Sequence, residues 1–145
     1  MTENGTNSKP ELYLISSCLM GLCTRYDGKI KHDPACLERL KGKIWIPICP
    51  EQLGGLPTPR EAADIYGGDG SDVLSGRARV RTKTGEDVTR QFIRGAEQVL
   101  TIAKSQPVTT ILLKARSPSC GCSTTFCGVT AALLLKHGFK LEEIG

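Results

Sequence analysis

Seven cysteines stand in this chain of 145 residues, and three of them share one context. Cys18 follows the apolar run Leu12, Tyr13, Leu14, Ile15; Cys49 follows Ile44, Trp45, Ile46, Pro47, Ile48; Cys120 follows Thr110, Ile111, Leu112, Leu113, Lys114 after a short loop. A thiolate is both a soft metal ligand and a nucleophile. If the three runs are parallel strands of one sheet, their thiols meet at its carboxyl edge, where open α/β folds bind ligands. Three thiolates with no obvious fourth describe a metal site with one position left open, which is what a catalytic centre needs.

The neighbours of these thiols carry chemistry of their own. Glu51 lies two residues from Cys49, close enough to serve the same crevice as a general acid or base, or else to be an exposed loop carboxylate. Ser117 and Ser119 could donate to a bound anion; equally, they could cap the turns beside Pro118. Cys23 could reach the same site, whereas Cys36, inside a short helical pattern, reads as a core hydrophobe. Cys122 and Cys127 lie close to Cys120, but neither a repeated CxxC pair nor the ferredoxin spacing is present. His32 and His137 fit no ligand spacing, and His137 suits the negative end of a helix. Zinc is therefore possible but not favoured.

The elements that must hold these groups follow from pattern. A strand over 12–16 leads into a glycine-containing loop, and Asp33 with Pro34 opens a short helix over 34–41. A strand over 43–48 ends at Cys49–Pro50, and a loop rich in breakers runs over 54–60. Residues 64–85 show no helical period, so turns and short extended segments are expected there. Asp87 is read as the N-cap of the clearest helix, whose Val88, Phe92, Ile93, Ala96, Val99, Leu100 and Ala103 repeat at the 3.6-residue period. A strand over 109–114 follows Pro107. Thr130 is read as the cap of a last helix through Leu135, Gly138 ends it, and residues 139–144 form a final strand. The expected architecture is a single α/β, Rossmann-like domain over 11–145 with a largely parallel sheet, the site at the C-terminal edge of its strands, and a disordered polar tail over 1–10.

Composition sets the surroundings. Hydrophobic residues at 39% and charged residues at 23% are those of a soluble globular chain. No run approaches the ~20 apolar residues that span a bilayer, and no export signal is visible, so a cytoplasmic protein is expected. An odd number of cysteines there argues against a disulfide framework. The net charge of +4 is modest, and its densest patch, Arg77, Arg79, Arg81 and Lys83, reads as one solvated face of an extended segment, with a phosphate-facing strip as the sharper alternative.

Together the motifs resemble a known family. Ile15–Ser16–Ser17–Cys18–Leu19–Met20–Gly21, Arg25–Tyr26–Asp27–Gly28, Cys49–Pro50–Glu51, Gly54–Gly55–Leu56–Pro57–Thr58–Pro59–Arg60, Gly85–Glu86–Asp87–Val88–Thr89 and Ser117–Pro118–Ser119–Cys120–Gly121 occur in that order. This is similar to the bacterial thiouracil desulfurase family, over nearly the whole chain from Leu12. The resemblance implies a [4Fe–4S] cluster held by Cys18, Cys49 and Cys120, with one iron left without a protein ligand for a substrate's sulfur. It implies a non-redox desulfuration of a thiolated pyrimidine, with Glu51 activating water and Ser117 or Ser119 steadying developing charge. Against the family pattern the passage from Cys120 to Gly128 is short, and Cys122 and Cys127 within it offer a fourth ligand that would close the open iron.

A free 2- or 4-thiouracil, or its nucleotide, is the expected partner, with Arg60, Lys114 or Arg116 as candidate phosphate contacts. Few aromatics and a modest charge make intact RNA the lesser expectation, and a monomer is expected. Two other classes compete: a zinc- or cluster-carrying regulatory protein without turnover, and a metal-free redox enzyme using Cys120 or Cys122 as a low-pKa nucleophile.

Overall fold

The computed structural model describes residues 11–121 and 127–145. The expected tail over 1–10 and Cys122 lie outside the described residues.

Strands Leu12–Ser16 (β1) and Thr110–Lys114 (β5) are apolar almost throughout. Such continuous runs suit strands covered on both faces, and they form the centre of a four-stranded sheet. Ile44–Ile48 (β2) and Leu141–Ile144 (β6) flank them in the order β2-β1-β5-β6, and every pairing is parallel. β2 is an edge strand, which is why Pro47 is tolerated opposite Ile15. Alternation along β1 divides the core: Leu14 packs with Val99, Ile111, Leu113 and Leu134 on one face, while Tyr13 and Ile15 pack with Leu19, Cys36, Leu40 and Leu112 on the other.

Helix Pro34–Arg39 (α1) covers the second face, capped by Asp33, whose carboxylate accepts from Cys36 N. Cys36 is 2% exposed within that core, as expected of a small hydrophobe. A short helix, Pro50–Leu53 (α2), follows β2 at once, where a loop was expected. Residues 63–82 fold into an antiparallel hairpin, Ala63–Tyr66 (β3) with Arg79–Thr82 (β4), around helix Gly70–Leu74 (α3). The alternating exposure of β4 puts Arg79 and Arg81 on its outer side; Arg79 pairs with Asp87. The basic patch is a solvated face.

Helix Thr89–Lys104 (α4) buries Phe92, Gly95, Ala96, Val99 and Ala103, bridging the sheet and the hairpin. Its start corrects the expectation at Asp87: Val88 occupies the cap position, and the Asp87 carboxylate reaches Thr89 N from one residue earlier, at 2.9 Å. The Thr89 hydroxyl accepts from Val80 N instead, tying β4 to the helix. Thr130 is a second correction. Helix Val129–Lys136 (α5) starts after Gly128, and the Thr130 hydroxyl is buried without a partner among the described residues. Its first amides donate to Pro118 O and Ser119 O, so the loop after β5 caps the helix. Among the described residues no helix is long and apolar enough to cross a membrane.

Candidate active site

Each of the three cysteines leaves the carboxyl end of a parallel strand. Cys18 lies in the 3₁₀ turn Ser17–Met20 that follows β1. Cys49 is the residue between β2 and α2, in extended backbone, with Pro50 opening the helix. Cys120 lies in the loop between β5 and α5. Two features fix that loop: Arg116 takes a left-handed φ of 60°, a strained conformation for a side chain of its size, and the Ser117 hydroxyl accepts from both Ser119 N and Cys120 N at 3.1 Å. Gly128 closes the far side, where a Cβ would lie 2.5 Å from the Ser119 carbonyl carbon.

The three thiols line a single crevice of about 450 Å³, together with Arg25, Tyr26, Glu51, Arg60, Asp64, Lys114 and Ser117 among others. Its size is that of a small-molecule site. Burial pushes all three thiols up: Cys18 by desolvation and then by the charge of Cys49, Cys49 by desolvation with Arg60 opposing, and Cys120 to about 12. For Cys120 desolvation is the largest cause; the Ser16 hydroxyl opposes it, while Glu51, Cys49 and Cys18 add negative charge. Three thiolates beside a carboxylate in this crevice call for a positive group to hold them ionised. Soft donors of this kind suit zinc or an iron–sulfur cluster. Among the described residues no three His, Cys, Asp or Glu side chains come close enough to share one metal ion. With one cysteine from the end of each strand on one crevice, the three thiols match the donor type and number of an iron–sulfur group that leaves one iron open.

Glu51 is in the crevice with its side chain 15% exposed, and both carboxylate oxygens are held: Oε1 by Arg60 Nε at 2.7 Å, Oε2 by the Ser119 hydroxyl at 3.2 Å. Ser117 is also in the crevice. Ser119 is 1% exposed and stands behind Glu51 rather than on the lining. The two serines thus separate, one facing the crevice and one orienting the carboxylate. Cys23 is exposed, its thiol on Gly28 O, and does not line the crevice. Cys127 packs against the core cluster that contains Cys120 and borders a different depression with Ser71 and Leu74; neither it nor Cys36 lines the crevice.

Arg60 also departs from expectation. Its side chain is 7% exposed, and its donors end on protein atoms: Glu51 Oε1, Pro57 O, Thr58 Oγ1, Thr24 O and, at 3.9 Å, Cys49 Sγ. It has no N–H left for a phosphate. Lys114 and Arg116 remain, each 3.3 Å from Gly145 O. Arg25 is engaged bidentately by Asp27 and lies 5.8 Å from the Tyr26 ring centre. Sequence reasoning missed the inward role of Arg60; the one signal was a charged residue closing a segment made rigid by Pro57 and Pro59.

A parallel α/β sheet that presents one buried and two half-buried thiols and a carboxylate beyond its strand ends defines a thiolate-centred α/β enzyme. The chain belongs to the 2-thiouracil desulfurase family, whose model matches residues 13–143. It is 40% identical over 141 residues to the protein YbbK of Bacillus subtilis (strain 168), covering 90% of this chain and 93% of that one. Among solved structures it is similar to the [4Fe-4S]-dependent thiouracil desulfidase TudS, with a TM-score of 0.75 and 35% identity over 92% of this chain and 90% of that one.

Proposed function

We propose that this protein replaces the thiocarbonyl sulfur of a thiolated pyrimidine, 2- or 4-thiouracil or its nucleotide, by oxygen from water, releasing hydrosulfide. Cys18, Cys49 and Cys120 would hold a [4Fe–4S] cluster. When bound, that group supplies a Lewis-acidic iron with soft affinity for sulfur. The exchange is C=S plus H₂O to C=O plus H₂S, with no net oxidation or reduction.

The chain's own residues supply the rest. Glu51 takes a proton from the attacking water; its carboxylate is fixed by Arg60 on one oxygen and by Ser119 on the other, which leaves a lone pair free toward the crevice. Ser117 accepts two amide N–H bonds on its oxygen, so its own O–H is free to donate where negative charge develops. Ile48, Pro50 and Pro118 give the crevice apolar wall beside these polar groups. A crevice of about 450 Å³ has the volume of a small-molecule site, in keeping with a free base or nucleotide.

The observation that carries this reading is the convergence of three thiols and Glu51 on one crevice at the carboxyl edge of the sheet. The test is anaerobic purification with iron, sulfide and zinc analysis, followed by turnover of 2-thiouracil. About four irons per chain with hydrosulfide release is expected. Glu51→Gln should keep the iron and lose roughly 10²–10⁴ in kcat. Bound zinc without turnover, or full activity in metal-free protein, would overturn the reading.

A further inference from the structure

Arg60 touches two groups that the proposed reaction uses and none that it consumes. Its guanidinium has five N–H donors in a rigid fork, and each finds an acceptor on one of three segments around the site. Nε meets Glu51 Oε1 at 2.7 Å; Nη1 meets Pro57 O at 3.1 Å and Thr58 Oγ1 at 2.9 Å; Nη2 meets Thr24 O at 2.9 Å and Cys49 Sγ at 3.9 Å. Its own backbone N–H donates to Tyr26 O at 2.7 Å. One residue therefore joins the loop after β1, the start of α2 and the proline-flanked segment. Thr24 is itself fixed by the Ser17 hydroxyl at 2.6 Å, one residue before Cys18.

We propose that Arg60 is a positioning residue of the desulfuration centre: its fork holds Glu51 over the crevice and, through the N–H aimed at Cys49 Sγ, tunes the group that thiolate binds. The inference rests on the function proposed above. Hydrogen bonds to ligand sulfur and nearby positive charge raise the reduction potential of an iron–sulfur group. Lysine can restore the charge but not the fork, because an ammonium is a point donor on a flexible stem. The two contributions of Arg60 are thus separable by substitution.

The experiment compares reconstituted wild type, Arg60→Gln and Arg60→Lys. It reads iron per chain, the reduction potential by titration followed with electron paramagnetic resonance, and kcat and KM on 2-thiouracil. In Arg60→Gln the potential is expected to fall and kcat to drop roughly 10–100-fold, with KM within about twofold because Arg60 has no donor left for substrate. Arg60→Lys should recover much of the potential and little of kcat. A loaded variant with the wild-type potential, an unchanged kcat, or a rise in KM alone would overturn the proposal. If Arg60→Gln does not load, Arg60→Lys decides by the same readings, and failure of both to fold or to hold iron would make Arg60 structural and overturn it too. Wild-type protein that holds no cluster or releases no hydrosulfide would instead sink the proposed function.

Discussion

Cys120 is 4% exposed and has the highest-lying thiol of the three, pushed up to about 12 from an ordinary value near 9. Burial is the first cause, so the folded protein favours the neutral thiol. The consequence for the protein without its metal group has a definite sign. A pKa raised on folding contributes stability that is fully present below the unfolded value, and that contribution is lost as pH rises toward the folded one. Metal-free protein should therefore lose stability between about pH 9 and pH 12, more steeply than its surface charges require, and Cys120→Ser should flatten that decline. Melting temperature against pH checks this; a Cys120→Ser protein with the same alkaline slope as the parent would refute it. In the other direction, a metal group must displace these protons, so loading should improve as pH rises. The thiols and Glu51 were legible in the sequence because each follows an apolar run of strand length, directly or after a short loop. The partition between Ser117 and Ser119, and the inward turn of Arg60, were not, because they depend on contacts between loops far apart in the chain.

Helix α2 carries Glu51 at its start and is only four residues long, so nothing local makes it stable. What holds it is α4. Gly54 and Gly95 face each other where the two helices cross, and a Cβ on Gly95 would lie 1.9 Å from Pro50 O. A glycine inside a long helix ordinarily costs about 1 kcal/mol relative to alanine, and here the absent side chain is what lets the backbones meet. Gly95→Ala should thus reverse the usual gain. It should destabilise by about 1–3 kcal/mol and displace Cys49 and Glu51 together, lowering both iron content and kcat. Melting temperature and iron analysis read both effects; a more stable variant with full iron would disprove the coupling. The sequence concealed α2 because Pro50, Gly54 and Gly55 look like loop residues. Pro50 is in fact the first helical residue, and the glycine serves a crossing. The start of α4 was misread by one or two residues for a related reason: Asp87 does reach a helix amide, but Val80 and Thr89 tie the strand to the helix and set the boundary.

Three adjacent strands, β2, β1 and β5, each send one cysteine loop to the same edge, while β3 closes the crevice through Ala63 and Asp64. The parallel sheet was readable because buried central strands carry near-continuous apolar runs and alternate with helices. The alternation of Arg77, Arg79, Arg81 and Lys83 did mark an extended segment at β4, but its pairing with β3 was not readable, since four-residue strands among many glycines carry too little pattern to name a partner. This architecture makes a bound metal group a staple as well as a reagent. It would link three loops whose other ties include the Arg60 N to Tyr26 O bond and the Ser119 hydroxyl on Glu51, and a group that binds the folded chain alone stabilises it by about 4 kcal/mol when present at a thousand times its dissociation constant. At roughly 3 °C per kcal/mol for a chain of this size, stripping the group with a chelator or oxygen should lower the melting temperature by roughly 10 °C. The loss should also be local. Hydrogen-exchange protection should fall at the carboxyl ends of β1, β2 and β5 and in residues 115–121, while the core around Val80, Phe92 and Val129, none of which lines the crevice, keeps its protection. Equal melting temperatures for loaded and stripped protein, or protection lost evenly through both cores, would mean that the loops are held by their own contacts and that the thiols bind nothing that joins them.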